Sequence, residues 1–257
     1  MCKKSVLTLI VVSSLFVVTA PLQATLTLLD LSVNENGTVI NTSGTVTDAT
    51  GQLTAFFERY NDPPTGTGVF KPFVRIQNKG TERGYNTDGA LEFDTKQGQT
   101  GGKNWTHSLQ LGDIPVLNGN IQLLLDINQS QGGNNRYLSL DAMKIFLADS
   151  GSLADYASGL GTLIYDLGKD NWVKMDSSVF HPGSGTGDVR VTINIPEITG
   201  WSSNKYFYLY SEFGKYNSSN GGFEEWAIAI PAAIPEPTTI ALLGLGALSL
   251  LRKRFRR

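Results

Sequence analysis

Short apolar runs separated by turn residues fill the middle of this 257-residue chain. In the segment 189–195, valine and isoleucine occupy every second position, while arginine, threonine and asparagine fill the positions between them. Such alternation places apolar side chains on one face of a β-strand and polar side chains on the other. The pattern therefore predicts strands rather than helices for this part of the chain.

About a dozen runs of this kind follow one another, and clusters rich in Gly, Asn and Ser separate them. The dipeptide Asn36-Gly37 predicts a tight hairpin between the first two runs. At most a helical turn is expected at 141–144 and at 152–157. Strands without intervening helices predict an all-β fold, a two-sheet antiparallel sandwich that is jelly-roll-like. The predicted strands are 26–33, 38–46, 68–77, 90–95, 107–111, 121–127, 137–147, 162–167, 172–175, 189–195, 206–210 and 223–230.

The N-terminus has the pattern of a secretory signal peptide. Lys3 and Lys4 precede a mostly apolar stretch at 5–18, and Ala24 offers a small residue for cleavage. The apolar stretch is shorter than the ~20 residues of a membrane-spanning helix. We therefore predict a signal peptide at 1–24, delivery to a secretion translocon, and export.

The C-terminus carries a second segment of this type. Pro235-Glu236-Pro237 precedes an apolar run at 238–251 without a polar face, and a basic end follows at 252–257. As a helix the run is about 21 Å long, short against a hydrocarbon core of ~30 Å. We predict a C-terminal transmembrane helix at 238–251 with a cytoplasmic basic end.

These parts, in this order, resemble the PEP-CTERM sorting signal of Gram-negative bacteria. In that family a membrane protease called exosortase recognises and cleaves the tail, and the carriers often belong to an exopolysaccharide or biofilm matrix. The segments 66–77, 84–89 and 222–226 also resemble the body of a subgroup of these proteins, which has no assigned activity. The resemblance implies a precursor anchored in the inner membrane, an exosortase-type partner, and release to the cell surface or matrix. The implied sorting residues are Pro235, Glu236, Pro237, Arg252, Lys253, Arg254, Arg256 and Arg257.

Between the two ends we predict one domain at 25–230 and a linker at 231–234. This domain holds 14 Lys and Arg against 22 Asp and Glu, a net charge of −8. Nucleic-acid binding needs a basic surface, so the charge argues against nucleic acid as a partner. Cys2, the single cysteine of the chain, falls within the predicted signal peptide, which leaves the domain without a disulfide.

The sequence offers little catalytic chemistry. It has two histidines, and they are far apart, which argues against a histidine-rich metal site or a conventional triad. Glu224 and Glu225 are adjacent on a predicted strand, so they point to opposite faces and cannot share one cleft. We predict a protein that is not an enzyme.

Two sets of residues are candidates for ligand binding. Asp126, Asn128 and Asp141 carry oxygen donors that suit a structural calcium ion, although Asp126 to Ser130 equally fits a strand that ends in a turn. The EF-hand pattern fails there, because Gln131 and Tyr137 occupy the positions that require Gly and Glu.

The second set is an aromatic row. Tyr206, Tyr208 and Tyr210 alternate on one strand and share a face, where they could stack on sugar rings or pack against other strands. If Phe207 and Leu209 face the core, the tyrosines face outward. The prediction is an exported structural or polysaccharide-associated protein. The alternatives are a calcium-supported carbohydrate-binding module and a secreted polysaccharide-active enzyme.

Overall fold

A computed structural model describes residues 27–51, 53–60, 70–100, 103–130, 132–180, 185–195, 198 and 200–230. Within these ranges the chain forms seventeen strands, four short 3-10 turns and no α-helix. The prediction of an all-β fold is confirmed. The strands are β1 (Thr27–Asp30), β2 (Ser43–Thr47), β3 (Thr54–Arg59), β4 (Pro72–Ile76), β5 (Lys79–Gly80), β6 (Glu82–Tyr85), β7 (Gln99–Thr100), β8 (Lys103–Asn104), β9 (Leu109–Gln110), β10 (Asn120–Ile127), β11 (Tyr137–Ala148), β12 (Thr162–Asp166), β13 (Asn171–Asp176), β14 (Val189–Asn194), β15 (Tyr206–Phe213), β16 (Ser219–Asn220) and β17 (Glu224–Ile228). The 3-10 turns are Leu111–Asp113, Gly133–Arg136, Tyr156–Ser158 and Ser177–Val179.

Two large sheets organise these strands. The six-stranded sheet has the order β2-β3-β14-β10-β17-β4, and all its neighbouring strands are antiparallel. The seven-stranded sheet has the order β1-β13-β11-β15-β6, with β12 paired to β11 and β9 paired to β15. The pairs β5–β16 and β7–β8 form two small ribbons.

A single hydrophobic cluster joins the two large sheets. Leu123 and Trp226 of the six-stranded sheet belong to the same buried cluster as Ile145 and Leu209 of the seven-stranded sheet. The alternation that predicted β14 is confirmed, because Val189, Val191 and Ile193 are all 0% exposed in this core. Burying apolar surface stabilises a fold by roughly 25 cal/mol per Å². The burial of these apolar rows is therefore the main contribution that holds the two sheets together.

Several local predictions were wrong. The predicted hairpin around Gly37 is reduced to one bridge between Val33 and Val39, because β2 pairs with β3 instead. β1 pairs with β13 and runs parallel to it, so the seven-stranded sheet is mixed rather than purely antiparallel. The expected helical turn at 141–144 lies inside β11.

The predicted signal peptide at 1–24, the linker at 231–234 and the helix at 238–251 lie outside the described residues. Across the ranges that the structure describes, no helix has the length and apolarity to cross a membrane.

Candidate functional site

A row of charged side chains crosses the outer face of the six-stranded sheet, the face turned away from the shared core. Arg75 of β4 is opposite Glu225 of β17, and Glu225 is in turn opposite Asp126 of β10. Leu125 pairs with Val189, so Asp188, the residue before β14, lies beside Asp126. All four charged side chains are buried. The row therefore contains three carboxylates and only one positively charged group, the guanidinium of Arg75.

Arg75 is held on three sides. Its guanidinium lies 3.2 Å from the ring centroid of Trp105 and 4.4 Å from that of Phe223, and it forms an ion pair with Glu225. Stacking on aromatic faces and a carboxylate partner compensate this buried cation. Since Arg75 is engaged by Glu225, it gives Asp126 only a weaker charge attraction.

Asp126 and Asp188 form the acidic end of the row. The amide of Gly185 donates to Asp126 Oδ2, and the amide of Ile127 donates to Asp188 Oδ2 at 2.9 Å. Burial raises the pKa of Asp126 to about 7, although the Gly185 amide acts against it. Burial, with the nearby Asp126 charge, raises the pKa of Asp188 well above its usual range. Among the described residues the Oδ1 atoms of both aspartates have no hydrogen-bond partner, which costs about 1–3 kcal/mol for each group.

A second carboxyl pair connects the two large sheets. Glu82 of β6 and Glu224 of β17 interact through their carboxyl groups and are 1% and 0% exposed. The Asn78 amide donates to Glu82 at 2.6 Å, and the Gln129 side-chain amide donates to Glu224. Burial raises the pKa of both glutamates. Oε1 of Glu82 and Oε2 of Glu224 have no other hydrogen-bond partner among the described residues, and a shared proton would let these two carboxyl groups pair.

Beside Glu82 lies a polar pocket of about 250 Å³. Asp94 on its wall accepts hydrogen bonds from the Asn78 side chain at 2.8 Å and from the Arg83 amide at 3.0 Å. Hydrogen-bonding groups of fixed orientation are what a polar ligand needs. The pocket is lined by Asn78, Thr81, Glu82, Arg83, Asp94 and Glu212.

Phe93 lies next to this pocket and is 41% exposed. Its φ angle is 56°, a left-handed backbone conformation that is uncommon for a bulky residue. The Arg83 guanidinium stacks on its ring at 4.2 Å, and edge contacts join the ring to Tyr156 at 5.9 Å and Tyr210 at 6.3 Å. Phe93 therefore presents a fixed aromatic surface beside hydrogen-bonding groups.

The tyrosine row has the predicted alternation but not the predicted exposure. Phe207 and Leu209 belong to the shared core, so the tyrosines do occupy the opposite face. However, Tyr208 and Tyr210 are only 0% and 3% exposed, and they pack in a second buried cluster. The interpretation of Tyr206, Tyr208 and Tyr210 as an exposed sugar-stacking row is corrected here, since only Tyr206 is partly exposed.

The three candidate calcium ligands do not come together. Asp126 lies on the outer face of the six-stranded sheet. Asp141 lies on β11 of the other sheet, where it accepts hydrogen bonds from the Lys215 amide and the Ser139 hydroxyl. The carbonyl of Asn128 is turned toward Gly222. Within the described ranges no three His, Cys, Asp or Glu side chains are close enough together to hold a metal ion.

Two further predictions concern the adjacent glutamates of β17 and the residues of the sorting signal. Glu224 and Glu225 do point to opposite faces, one toward Glu82 and one toward Arg75. The predicted sorting residues lie outside the described residues: Pro235, Glu236, Pro237, Arg252, Lys253, Arg254, Arg256 and Arg257.

Comparison with known proteins identifies the C-terminal segment. The family model of the PEP-CTERM protein-sorting motif, the C-terminal sorting signal of exosortase substrates, matches residues 233–257. The chain thus carries this motif, which supports export and sorting to the surface. No curated protein matches the chain.

Two solved structures are distantly similar to the chain. One is a metagenome-derived glycoside hydrolase family 12 endoglucanase, with 10% identity, a TM-score of 0.21, and coverage of 74% of this chain and 96% of that chain. The other is a meso-active thermo-stable cellulase derived from a cellulase of Rhodothermus marinus, with 9% identity, a TM-score of 0.18 and the same coverage. Scores this low carry no argument about fold or activity.

Proposed function

We propose that this chain is an exported cell-surface or extracellular-matrix protein whose β-domain associates with polysaccharide. The observation that carries the proposal is the PEP-CTERM motif at 233–257, directly after a β-domain whose last strand ends at Ile228. In this proposal the signal peptide at 1–24 brings the chain to the translocon. The tail then holds a precursor in the inner membrane until an exosortase-type protease releases the domain at 25–230.

The association with polysaccharide is supported by Phe93 and the adjoining polar pocket. Sugars offer apolar ring faces and many hydroxyl groups, so an aromatic surface beside fixed donors and acceptors suits them. We therefore propose that polysaccharide binds at Phe93 and this pocket. We also propose that the two sheets and their shared core form a jelly-roll-like sandwich.

The role we propose is non-enzymatic. Glu224 and Glu225, the adjacent acids on β17, are 0% and 2% exposed and engage Glu82 and Arg75 respectively. Groups that are buried and occupied in this way support structure rather than chemistry on a bound polymer. A calcium-supported carbohydrate-binding module is a second candidate, favoured by the unpartnered oxygens of Asp126 and Asp188.

The sorting step is tested by the variant Glu236→Ala in a Gram-negative host that encodes an exosortase-type protease. We expect wild-type protein to be recovered outside the inner membrane without the tail, and the variant to remain in the membrane at the mass of the tailed precursor. Cell fractionation and intact mass spectrometry measure this. Glu35→Ala, at an exposed position of the folded domain, is the matched control and should be released like wild type. Release of Glu236→Ala at the wild-type level and mass would refute the proposal.

A further inference from the structure

Three buried oxygen atoms near the acidic end of the charged row lack a hydrogen-bond partner among the described residues. They are Oδ1 of Asp126, Oδ1 of Asp188 and the hydroxyl of Thr186. Their side chains are 0%, 1% and 6% exposed, so bulk water does not reach these atoms. Buried polar atoms almost always have a partner, and each exception requires an explanation.

These atoms belong to one neighbourhood. Asp126 and Asp188 lie next to each other across β10 and the start of β14, and their charges repel. The backbone amide of Thr186 donates to the Asp126 carboxylate, which fixes Thr186 beside it. The second carboxylate oxygens accept from Gly185 and Ile127. Each carboxylate is thus anchored through one oxygen and keeps the other without a partner.

Two kinds of positive charge could relieve this repulsion, a shared proton or a bound cation. Glu82 and Glu224 fit the first solution, because their carboxyl groups interact directly and one proton between them would satisfy the unpartnered oxygen of each. Asp126 and Asp188 interact through charge and show no hydrogen bond to each other. Arg75 supplies only a weak attraction to Asp126, since its ion pair is with Glu225. A proton shared by the two carboxylates would still leave the Thr186 hydroxyl without a partner. A cation could contact all three oxygens.

We propose that Asp126, Thr186 and Asp188 bind a divalent cation, and that this cation is Ca²⁺. Hard cations take carboxylate and hydroxyl oxygens, and Ca²⁺ accepts a flexible shell of 6–8 ligands that backbone carbonyls and water can complete. This site shares Asp126 with the calcium set predicted from the sequence, but it replaces Asn128 and Asp141 by residues from the segment before β14. Cation binding here needs neither the sorting tail nor a polysaccharide, so it can fail or succeed separately from the first proposed function, while it would supply the calcium of the second candidate.

The full-length protein, purified in detergent and stripped with EDTA, tests the site. We expect CaCl₂ to raise the unfolding temperature by about 5 °C or more at saturation, the shift that ligand binding to the native state produces in a domain of this size. Asp188→Asn should lose the response. Asp141→Asn, which changes a buried aspartate on β11 of the other sheet, is the matched control and should keep it. NaCl at equal ionic strength corrects for screening.

A direct measurement covers the case in which Asp188→Asn fails to fold. Equilibrium dialysis with Ca²⁺ should give one ion bound per wild-type chain. Thr186→Val keeps both carboxylates and removes a hydroxyl that makes no hydrogen bond, so it should fold and bind Ca²⁺ about tenfold more weakly, the effect of 1.4 kcal/mol. Absence of Ca²⁺ binding by wild type, or wild-type binding by both variants, overturns the proposal.

Discussion

At the scale of single residues, Phe93 combines an exposed ring with a strained backbone. A left-handed conformation costs a bulky residue of order 1 kcal/mol or more and persists when the surroundings enforce it. Here the surroundings are the rings of Tyr156 and Tyr210 and the guanidinium of Arg83. Because a flexible ring would lose entropy on stacking with a sugar, a ring already held in place is the better binding surface.

We predict that Phe93→Ala lowers the affinity for matrix polysaccharide about two- to tenfold, since an aromatic contact contributes about 0.5–1.5 kcal/mol. Affinity electrophoresis in gels containing the polysaccharide measures this. Tyr216→Ala removes another exposed ring, stacked on Trp172 with a centroid distance of 4.6 Å, and should migrate like wild type. Equal retardation of wild type and Phe93→Ala would place the binding surface elsewhere.

The row Tyr206, Tyr208 and Tyr210 shows how much of a site the alternation of residues in the sequence can predict. Alternation correctly assigned Phe207 and Leu209 to the core face and the tyrosines to the other face. It could not reveal that Tyr85, from β6, and Tyr156, from a turn, pack against that face. Within this group of packed rings the exposed member is Phe93, and its acidic neighbours Glu92 and Asp94 were the available signal.

At the scale of strands, the charged row depends on the register between β4 and β17. Arg75→Ala would remove the guanidinium that forms an ion pair with the buried Glu225. We predict a loss of about 3–5 kcal/mol in the free energy of unfolding, as is typical when one partner of a buried ion pair is removed. Urea unfolding followed by tryptophan fluorescence measures it.

Arg190→Ala is the matched control for this experiment. Arg190 lies in the same sheet, pairs with Glu58 at 2.7 Å and stacks on Tyr60, but its side chain is 26% exposed. Ion pairs that solvent reaches contribute about 0–1 kcal/mol, so this variant should lose far less stability than Arg75→Ala. If Arg75→Ala and Arg190→Ala lost similar amounts of unfolding free energy, the burial of Arg75 would not explain the importance of its ion pair.

Strand positions were largely predictable, and strand partners were not. β14 was found because apolar and polar residues alternate without exception over its length. β3 was missed, because Phe56 lies on the face opposite Ala55 and Phe57 and so breaks the alternation that would have marked a strand. The neighbours Asp126 and Asp188 are 62 positions apart in the chain, and only the register of β10 with β14 brings them together.

At the scale of the whole molecule, the Glu82–Glu224 pair makes the contact between the two large sheets sensitive to pH. The pKa of both glutamates is raised above the usual 4.5, so the folded state keeps a proton that the unfolded chain releases near that pH. Stability is therefore greatest below this value and falls as the pH rises through the folded pKa, by at most about 1.4 kcal/mol per pH unit for one proton.

We predict that Glu224→Gln weakens this pH dependence and raises the unfolding temperature at pH 8, because the amide donates to Glu82 without needing a proton. Thermal unfolding between pH 4 and pH 9 in EDTA measures the effect. Asp126, Asp141 and Asp188, whose pKa values are also raised, lie elsewhere and still contribute a fall with rising pH. Asp113→Asn, at an exposed position, should follow the wild-type profile. A Glu224→Gln profile parallel to wild type would contradict the shared proton.

The parallel pairing of β1 with β13 has a consequence for the order of events during export. Residue 27 is opposite residue 171, 144 positions later, and pairing over such a distance forms slowly. An exported chain emerges with its N-terminus first, so β1 waits outside the membrane until more than half of the chain has followed. The seven-stranded sheet thus closes late, when the sorting tail is about to reach the membrane. A tail that retains the precursor there gives the domain time to finish folding before it is released.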